Sequence, residues 1–171
     1  MAIIEELYFA LPIFISNVTP VFARHLNFLN YPINKKYFGE NKTYRGFLCA
    51  IIASIIIFYF QAYLYNYDII KKISLINYDE ANILLLGFMA GFGTIFGDLI
   101  KSYFKRRRGI KPGHSWVPFD QIDFIIGGLL FLSPFVKLSI KSIIILLIAS
   151  PIIHIATNYV GYYIGVNKKK W

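Results

Sequence analysis

The charge-free apolar runs constrain this chain more than any other feature. Residues 7–23, 46–67, 81–97, 124–136 and 142–167 contain no Asp, Glu, Lys or Arg, and they are 17, 22, 17, 13 and 26 residues long. A helix needs about 20 residues to cross a hydrocarbon core, with a range of roughly 17–25. Four runs meet that length as they stand. The run at 124–136 spans only if its helix begins near Phe119, which carries Asp120 and Asp123 to the membrane boundary. The expected fold is an all-α integral membrane protein of one domain, residues 1–171, with about five transmembrane helices. Their expected limits are about 4–23, 46–67, 81–100, 119–136 and 142–166, with the longer polar loops at 24–45 and 101–118.

Composition removes the other classes. Hydrophobic residues make up 57% and charged residues 16%, against roughly 45–50% and about 25% in soluble domains. The 16 Phe and 13 Tyr exclude a disordered chain, and the single Cys49 excludes a disulfide scaffold or a CxxC zinc site. The first run is not read as a cleavable signal, because Glu5 and Glu6 stand where such a segment carries Lys or Arg. Pro12 and Pro20 inside it are tolerable, since neighbouring helices can satisfy the carbonyls that proline frees.

Orientation follows from the basic residues. With five crossings, loops 24–45 and 101–118 and the C-terminus share one side. That side holds fourteen of the 18 basic residues, and the other holds only Lys71, Lys72, Lys137 and Lys141. Basic residues concentrate on the cytoplasmic side, so the N-terminus is expected outside and the C-terminus in the cytoplasm. Topology alone explains Lys35, Lys36 and Lys168 to Lys170. It also accounts for the net charge of +9 without a nucleic-acid partner.

Topology explains the third loop less well. On a helix, Asp98, Ser102 and Lys105 fall at i, i+4 and i+7 on one face, and Asp120 and Asp123 at i and i+3 share another. Three carboxylates therefore border the ends of two apolar helices, where an acid is costly unless it meets a cation. Spacing leaves two readings open: ion pairs with nearby Arg and Lys, or a bound Mg²⁺, which takes carboxylate oxygens and is often shared with phosphates. Lys105, Arg106, Arg107, Arg108 and Lys111 offer more positive charge than three acids need. An excess of cations beside a divalent site suits a polyphosphate. Gly109 and Pro112-Gly113 make the connection a turn-rich loop able to wrap a ligand.

Gly97-Asp98-Leu99, Ser102, Lys105-Arg106, Gly109-Ile110-Lys111, Pro118 and Asp120-Gln121-Ile122-Asp123 resemble the signature of the phosphatidate cytidylyltransferases. They are closer to the archaeal branch, the CDP-archaeol synthases. Asn17 with Pro20, the segment Asn41-Lys42-Thr43-Tyr44-Arg45-Gly46, and His154, Asn158, Tyr162, Gly165 and Trp171 extend the likeness along the chain. Pro112 after Lys111, and Trp116-Val117-Pro118 before the Asp pair, depart from the bacterial pattern. Tyr44 and Asn41 replace a Trp and a Gly of the archaeal one.

The resemblance implies transfer of CMP from CTP to an archaeal ether lipid phosphate, 2,3-bis-O-geranylgeranylglycerol 1-phosphate. The products are CDP-archaeol and pyrophosphate, in membrane phospholipid biosynthesis. It implies Mg²⁺ held by Asp98, Asp120 and Asp123. Lys105, Arg106 and Lys111 would neutralise the triphosphate, and Ser102 would bind phosphate or a metal-bound water. Lys42, Thr43 and Arg45 would complete the pocket from the first loop. Arg107 and Arg108 are weaker candidates for the pocket, since lipid headgroups would account for them as well. The partners are CTP, the lipid phosphate and the surrounding bilayer, and a homodimer is compatible with the reading. The site is expected to face the cytoplasm of a multi-pass cell-membrane protein. CDP-diacylglycerol synthesis from phosphatidate, and a small transporter using the aspartates as an ion site, remain as alternatives. Against the transporter, the acids cluster at one interface and no inverted repeat is visible. A CDP-alcohol phosphotransferase would need a D-G-x-x-A-R run, which is absent.

Outside the loops, His154, Asn158 and Tyr162 fall at i, i+4 and i+8. Interhelical hydrogen bonding and a place in the substrate pocket are both open for Asn158, Tyr162 and Asn17. His154, lying deeper, is read as structural. Gly87, Gly91, Gly93 and Gly97 form small-xxx-small pairs that close helix packing explains without a ligand.

Overall fold

The computed structural model describes residues 2–163 and 165. Lys168 to Lys170, Trp171 and residue 166 of the expected last span lie outside them. The described residues form helices joined by turns and loops. Helix α1 covers Ala2–Phe22 and runs into a 3₁₀ turn, Ala23–His25. The short α2, Lys35–Phe38, precedes α3, Tyr44–Leu64; the short α4, Asp68–Ile73, precedes α5, Ile83–Arg107. Helix α6 covers Phe119–Leu132 and α7 covers Ile140–Tyr163.

Among the described residues, four helices are long and apolar enough to cross a membrane, namely α1 with its 3₁₀ extension, α3, α5 and α7. The 14 residues of α6 give about 21 Å of helix, short of a hydrocarbon core of about 30 Å. Ile52, Ile56, Phe60 and Tyr63 on α3, and Ile144, Ile148 and Ile152 on α7, are exposed. Such apolar stripes fit a lipid environment, and the chain is an integral membrane protein.

Glycine decides how the helices meet. A Cβ on Gly87 or Gly91 would fall 2.6 Å from the Ile55 Cα or 2.7 Å from the Ile51 Cα. One face of α5 thus lies directly on the α3 backbone. On another face, a Cβ on Gly93 would fall 2.5 Å from the Gly127 carbonyl oxygen, and one on Gly97 would fall 2.3 Å from that of Asp123. Without an apolar-solvent drive between helices in lipid, backbone proximity of this kind is what holds them. The residue pairings run in opposite senses, so α5 is antiparallel to both α3 and α6.

Helix α1 packs antiparallel to α3 through polar contacts. Ser16 Oγ donates to the Ala50 carbonyl, and Gln61 Nε2 donates to the Tyr8 carbonyl. The second bond has a covalent cause. Pro12 has no N–H to offer the carbonyl four residues back, and Gln61 supplies the donor instead. Tyr78 from the α4–α5 connection closes the set, donating its hydroxyl to Gln61 Oε1 at 3.0 Å. Helix α7 begins beside the start of α1, where Ser142 Oγ donates to the buried Glu6 at 2.9 Å. Phe9, Ile13, Phe58, Phe124, Ile125, Leu132 and Leu146 fill the core between these helices.

This packing brings the C-terminal ends of α1, α5 and α7 together with the N-terminal ends of α3 and α6. The 24–45 and 101–118 loops emerge at that end. The first loop is folded on itself by a bridge between Pro32 and Thr43 and by Arg45 N–H donating to the Leu29 carbonyl. It meets the third loop where Gly39, at φ 89°, lies against Pro112.

Candidate active site

Helix α5 ends in a basic turn that is also its buried face: Ser102 and Lys105 are buried while Phe104 is exposed. Asp98 and Lys101 lie one turn earlier. The Gly97 contact sets this turn against the first turn of α6, which carries Asp120 and Asp123. The four groups meet at one point. Lys101 Nζ lies 2.9 Å from Asp98 Oδ1, 3.0 Å from Asp120 Oδ1 and 3.0 Å from Asp123 Oδ2.

Two further lysines flank the cluster. Lys42, held by the folded first loop, pairs with Asp98 Oδ2. Lys105 Nζ donates to both oxygens of Asp120 at 3.0 Å and to the His114 carbonyl. The Trp116 backbone N–H donates to Asp120 Oδ2. Asp120 is therefore fixed from α5 and from its own preceding loop. Asp123 differs: neither of its buried oxygens accepts a hydrogen bond among the described residues, and its contact with Lys101 is one of charge and distance.

Two connected cavities open on this cluster. The smaller, about 350 Å³, is polar and is bordered by Lys101, Ser102, Lys105, Arg106, His114 and Asp120. The larger, about 610 Å³, runs between α1, α3 and α7 past Val18, Val21, Phe22 and Val160. Asn17, Arg24, Asn41, Lys42, Asp98, His154 and Asn158 border both. A charged chamber thus continues into a slot between α1 and α7 that is apolar along Val18, Val21, Phe22 and Val160 and polar at Arg24, Thr43 and Arg45.

Most of the residues singled out in the sequence converge here. Asp98, Asp120, Asp123, Lys42, Lys105, Ser102, Arg106, Asn17 and Asn158 all stand at the cluster or line its chamber. Arg106 presents buried Nε and Nη1 atoms that meet no hydrogen-bond partner among the described residues. Thr43 lines the slot but also caps α3, accepting from the Gly46 N–H at 3.2 Å. Arg45 is buried there, with Nη1 on the Leu26 carbonyl. Lys111 is exposed and borders neither cavity, and Tyr162, edge-on to Tyr163, is not among the residues that border them.

Two residues were missed. Lys101 stands at the centre of the acids; its i+3 spacing from Asp98 was a signal as good as that of Ser102. Arg24 reaches the chamber from the end of α1. His154, read from the sequence as structural, is hydrogen-bonded to Asn158 at 3.3 Å and stacked on Phe124, and it also borders both cavities.

The donor set suits a hard divalent cation, which takes carboxylate oxygens. Asp98, Asp120 and Asp123 supply them, and the two oxygens of Asp123 have no hydrogen bond to give up. As arranged, the three carboxylates converge on an ammonium. Among the described residues no three acidic, imidazole or thiol groups are set to hold an ion by themselves.

Fold and site together define an integral membrane protein with a charged cleft at one end of its helices, continuous with an apolar slot. The family model for CarS-like CDP-archaeol synthase matches residues 1–171. A CDP-archaeol synthase of Methanococcoides burtonii is 36% identical over 80% of this chain and 83% of its own length. That of Methanococcus maripaludis is 33% identical over 100% of this chain and 98% of its own, and that of Pyrococcus furiosus 30% over 99% and 95%. A solved intramembrane enzyme of archaeal membrane-lipid biosynthesis shares the fold, with a TM-score of 0.72 at 22% identity over 89% of this chain and 91% of that one. The chain belongs to the CarS-like CDP-archaeol synthase family.

Proposed function

We propose that this protein makes CDP-archaeol by transferring CMP from CTP to 2,3-bis-O-geranylgeranylglycerol 1-phosphate. A phosphate oxygen of the lipid attacks the α-phosphorus of CTP. The bond from that phosphorus to the bridging oxygen breaks, and pyrophosphate leaves. The observation that carries the reading is the convergence of Asp98, Asp120 and Asp123 with Lys42, Lys101 and Lys105 at the head of an apolar slot. A nucleotide needs the charged chamber, and a lipid phosphate with long tails needs the slot.

Phosphoryl transfer asks little covalent work of a protein; positioning and charge neutralisation carry it. Asp98, Asp120 and Asp123 would hold Mg²⁺, which supplies positive charge to the phosphate oxygens. Arg106 offers two unengaged nitrogens to the triphosphate. Lys105 and the Trp116 N–H hold Asp120 in place and aim it. The slot between α1 and α7 admits the lipid sideways while the apolar walls keep water from its tails.

In this reading α6 is a fifth, short crossing, because it pairs antiparallel with α5. The N-terminus is then outside and the cleft faces the cytoplasm, where CTP is available. The basic bias of the two loops supports that side.

The test is a radiolabelled-CTP assay on detergent-purified protein with MgCl₂ and either the unsaturated ether lipid phosphate or phosphatidate. A CDP-lipid formed from the ether lipid, lost with EDTA and in Asp120→Asn and Asp123→Asn, is the expected result. Faster turnover of phosphatidate would move the protein to CDP-diacylglycerol synthesis. No product from either lipid with folded protein would overturn the reading.

A further inference from the structure

The cation at the centre of the acids is a side chain of the protein itself. Lys101 is only 12% exposed at its side chain and touches all three carboxylates, whereas Lys42 touches Asp98 alone and Lys105 touches Asp120 alone. For Asp123, Lys101 is the ion-pair partner among the described residues, and neither of its oxygens accepts a hydrogen bond. Three carboxylates brought together at a largely buried helix end repel one another, and without a central cation they could not stay there. A lysine is suited to a temporary version of that task. Its ammonium is a compact charge on a four-carbon stem with rotatable donors, unlike the planar fork of arginine. The stem also has somewhere to go, because Lys101 borders the polar chamber beside Ser102, Arg106 and His114.

We propose that Lys101 is an exchangeable counter-cation and positioning residue for the aspartate triad. Resting on the divalent-ion reading given above, the inference concerns what happens before and as that ion is taken up. The ammonium holds Asp98, Asp120 and Asp123 in place while no ion is bound. A divalent ion takes the same oxygens, so the two compete. As the ion enters, the ammonium swings into the chamber, where the triphosphate becomes its partner. Occupancy by Lys101 therefore weakens the intrinsic hold on the ion and couples ion uptake to nucleotide binding.

The test is Mn²⁺ titration followed by electron paramagnetic resonance, with thermal unfolding in EDTA and in MgCl₂, on detergent-purified wild type, Lys101→Met and Lys101→Arg. Lys101→Met is expected to bind Mn²⁺ roughly tenfold more tightly, the low end of effects from groups around a metal site. In EDTA it should melt about 4 °C or more below wild type, the scale of a lost buried contact in a chain of this size. MgCl₂ should close that gap. Lys101→Arg should restore the melting temperature in EDTA without tightening Mn²⁺ binding. Should Lys101→Met not survive purification in EDTA, Lys101→Gln, whose amide still donates to a carboxylate, takes the same titration. Equal or weaker Mn²⁺ binding in the neutral variant would overturn the inference and leave the divalent site intact. Wild type that binds no Mn²⁺ while still forming CDP-lipid would overturn both.

Discussion

Gly97 lies so close to Asp123 that a Cβ added to it would stand 2.3 Å from the Asp123 carbonyl oxygen. The residue before the first aspartate of the cluster thus touches the backbone of the last. Backbone contact, rather than side-chain packing, sets the distance between the two halves of the site.

Gly97→Ala should therefore damage both stability and catalysis. The clash is with backbone, which cannot swing aside, so α5 and α6 must separate. Overpacking of this kind costs about 1–3 kcal/mol. The expected result is a lower melting temperature and a large loss of CMP transfer. Gly113→Ala, with nothing within 4 Å but φ at 83°, should cost only backbone strain of about 1 kcal/mol. Equal effects from the two would contradict the packing argument.

Arg106→Gln should raise the KM for CTP by roughly tenfold or more with little change in melting temperature. Its Nε and Nη1 atoms are buried at the chamber without partners, so truncation breaks no bond of the fold. A charged hydrogen bond to phosphate is worth about 1.5–3 kcal/mol. Steady-state kinetics at saturating lipid measure the change, and an unaltered KM would remove Arg106 from the nucleotide site.

Gln61→Leu should behave oppositely. Gln61 bonds the Tyr8 carbonyl left open by Pro12 and accepts from Tyr78. Leucine strands both buried groups, at about 1–3 kcal/mol each. Thermal unfolding should show a drop of several degrees, while the KM for CTP stays that of wild type.

Tyr78 gives a pH dependence far from the cleft. Burial pushes its phenol above the ordinary tyrosine value, with Tyr8 adding to the shift. The folded state thus favours the neutral phenol. Its contribution is complete below about pH 10, the unfolded tyrosine value, and is lost as pH rises beyond it. Stability measured from pH 8 to 11 should fall at the alkaline end, and Tyr78→Phe should flatten that part of the fall. A fall of the same steepness in the variant would assign it to other groups.

Helix type and approximate extent were legible because they are local. Charge-free runs act within a few residues of themselves. The aspartates were legible as well, since an acid beside an apolar run is costly wherever the helix packs. Lys101 was not. Lys101 and Ser102 flank the same direction along α5, at i+3 and i+4 from Asp98, and spacing cannot say which one turns toward α6. Lys111 and Tyr162 were singled out by motif, and neither borders the cleft although their neighbours in the same loop and helix do.

By itself the sequence determined a helical membrane protein with acids and bases concentrated at one end. Hydrophobic length and the cost of burying charge fix that much without knowledge of any neighbour. Tertiary structure decided which cation stands among the acids, that Asp123 is the one left without hydrogen bonds, and that the charged chamber opens into a slot between α1 and α7. Those facts depend on the azimuth and depth at which α5 meets α6 and α3. Contacts between glycines and backbone distant in sequence set both, and no single segment contains them.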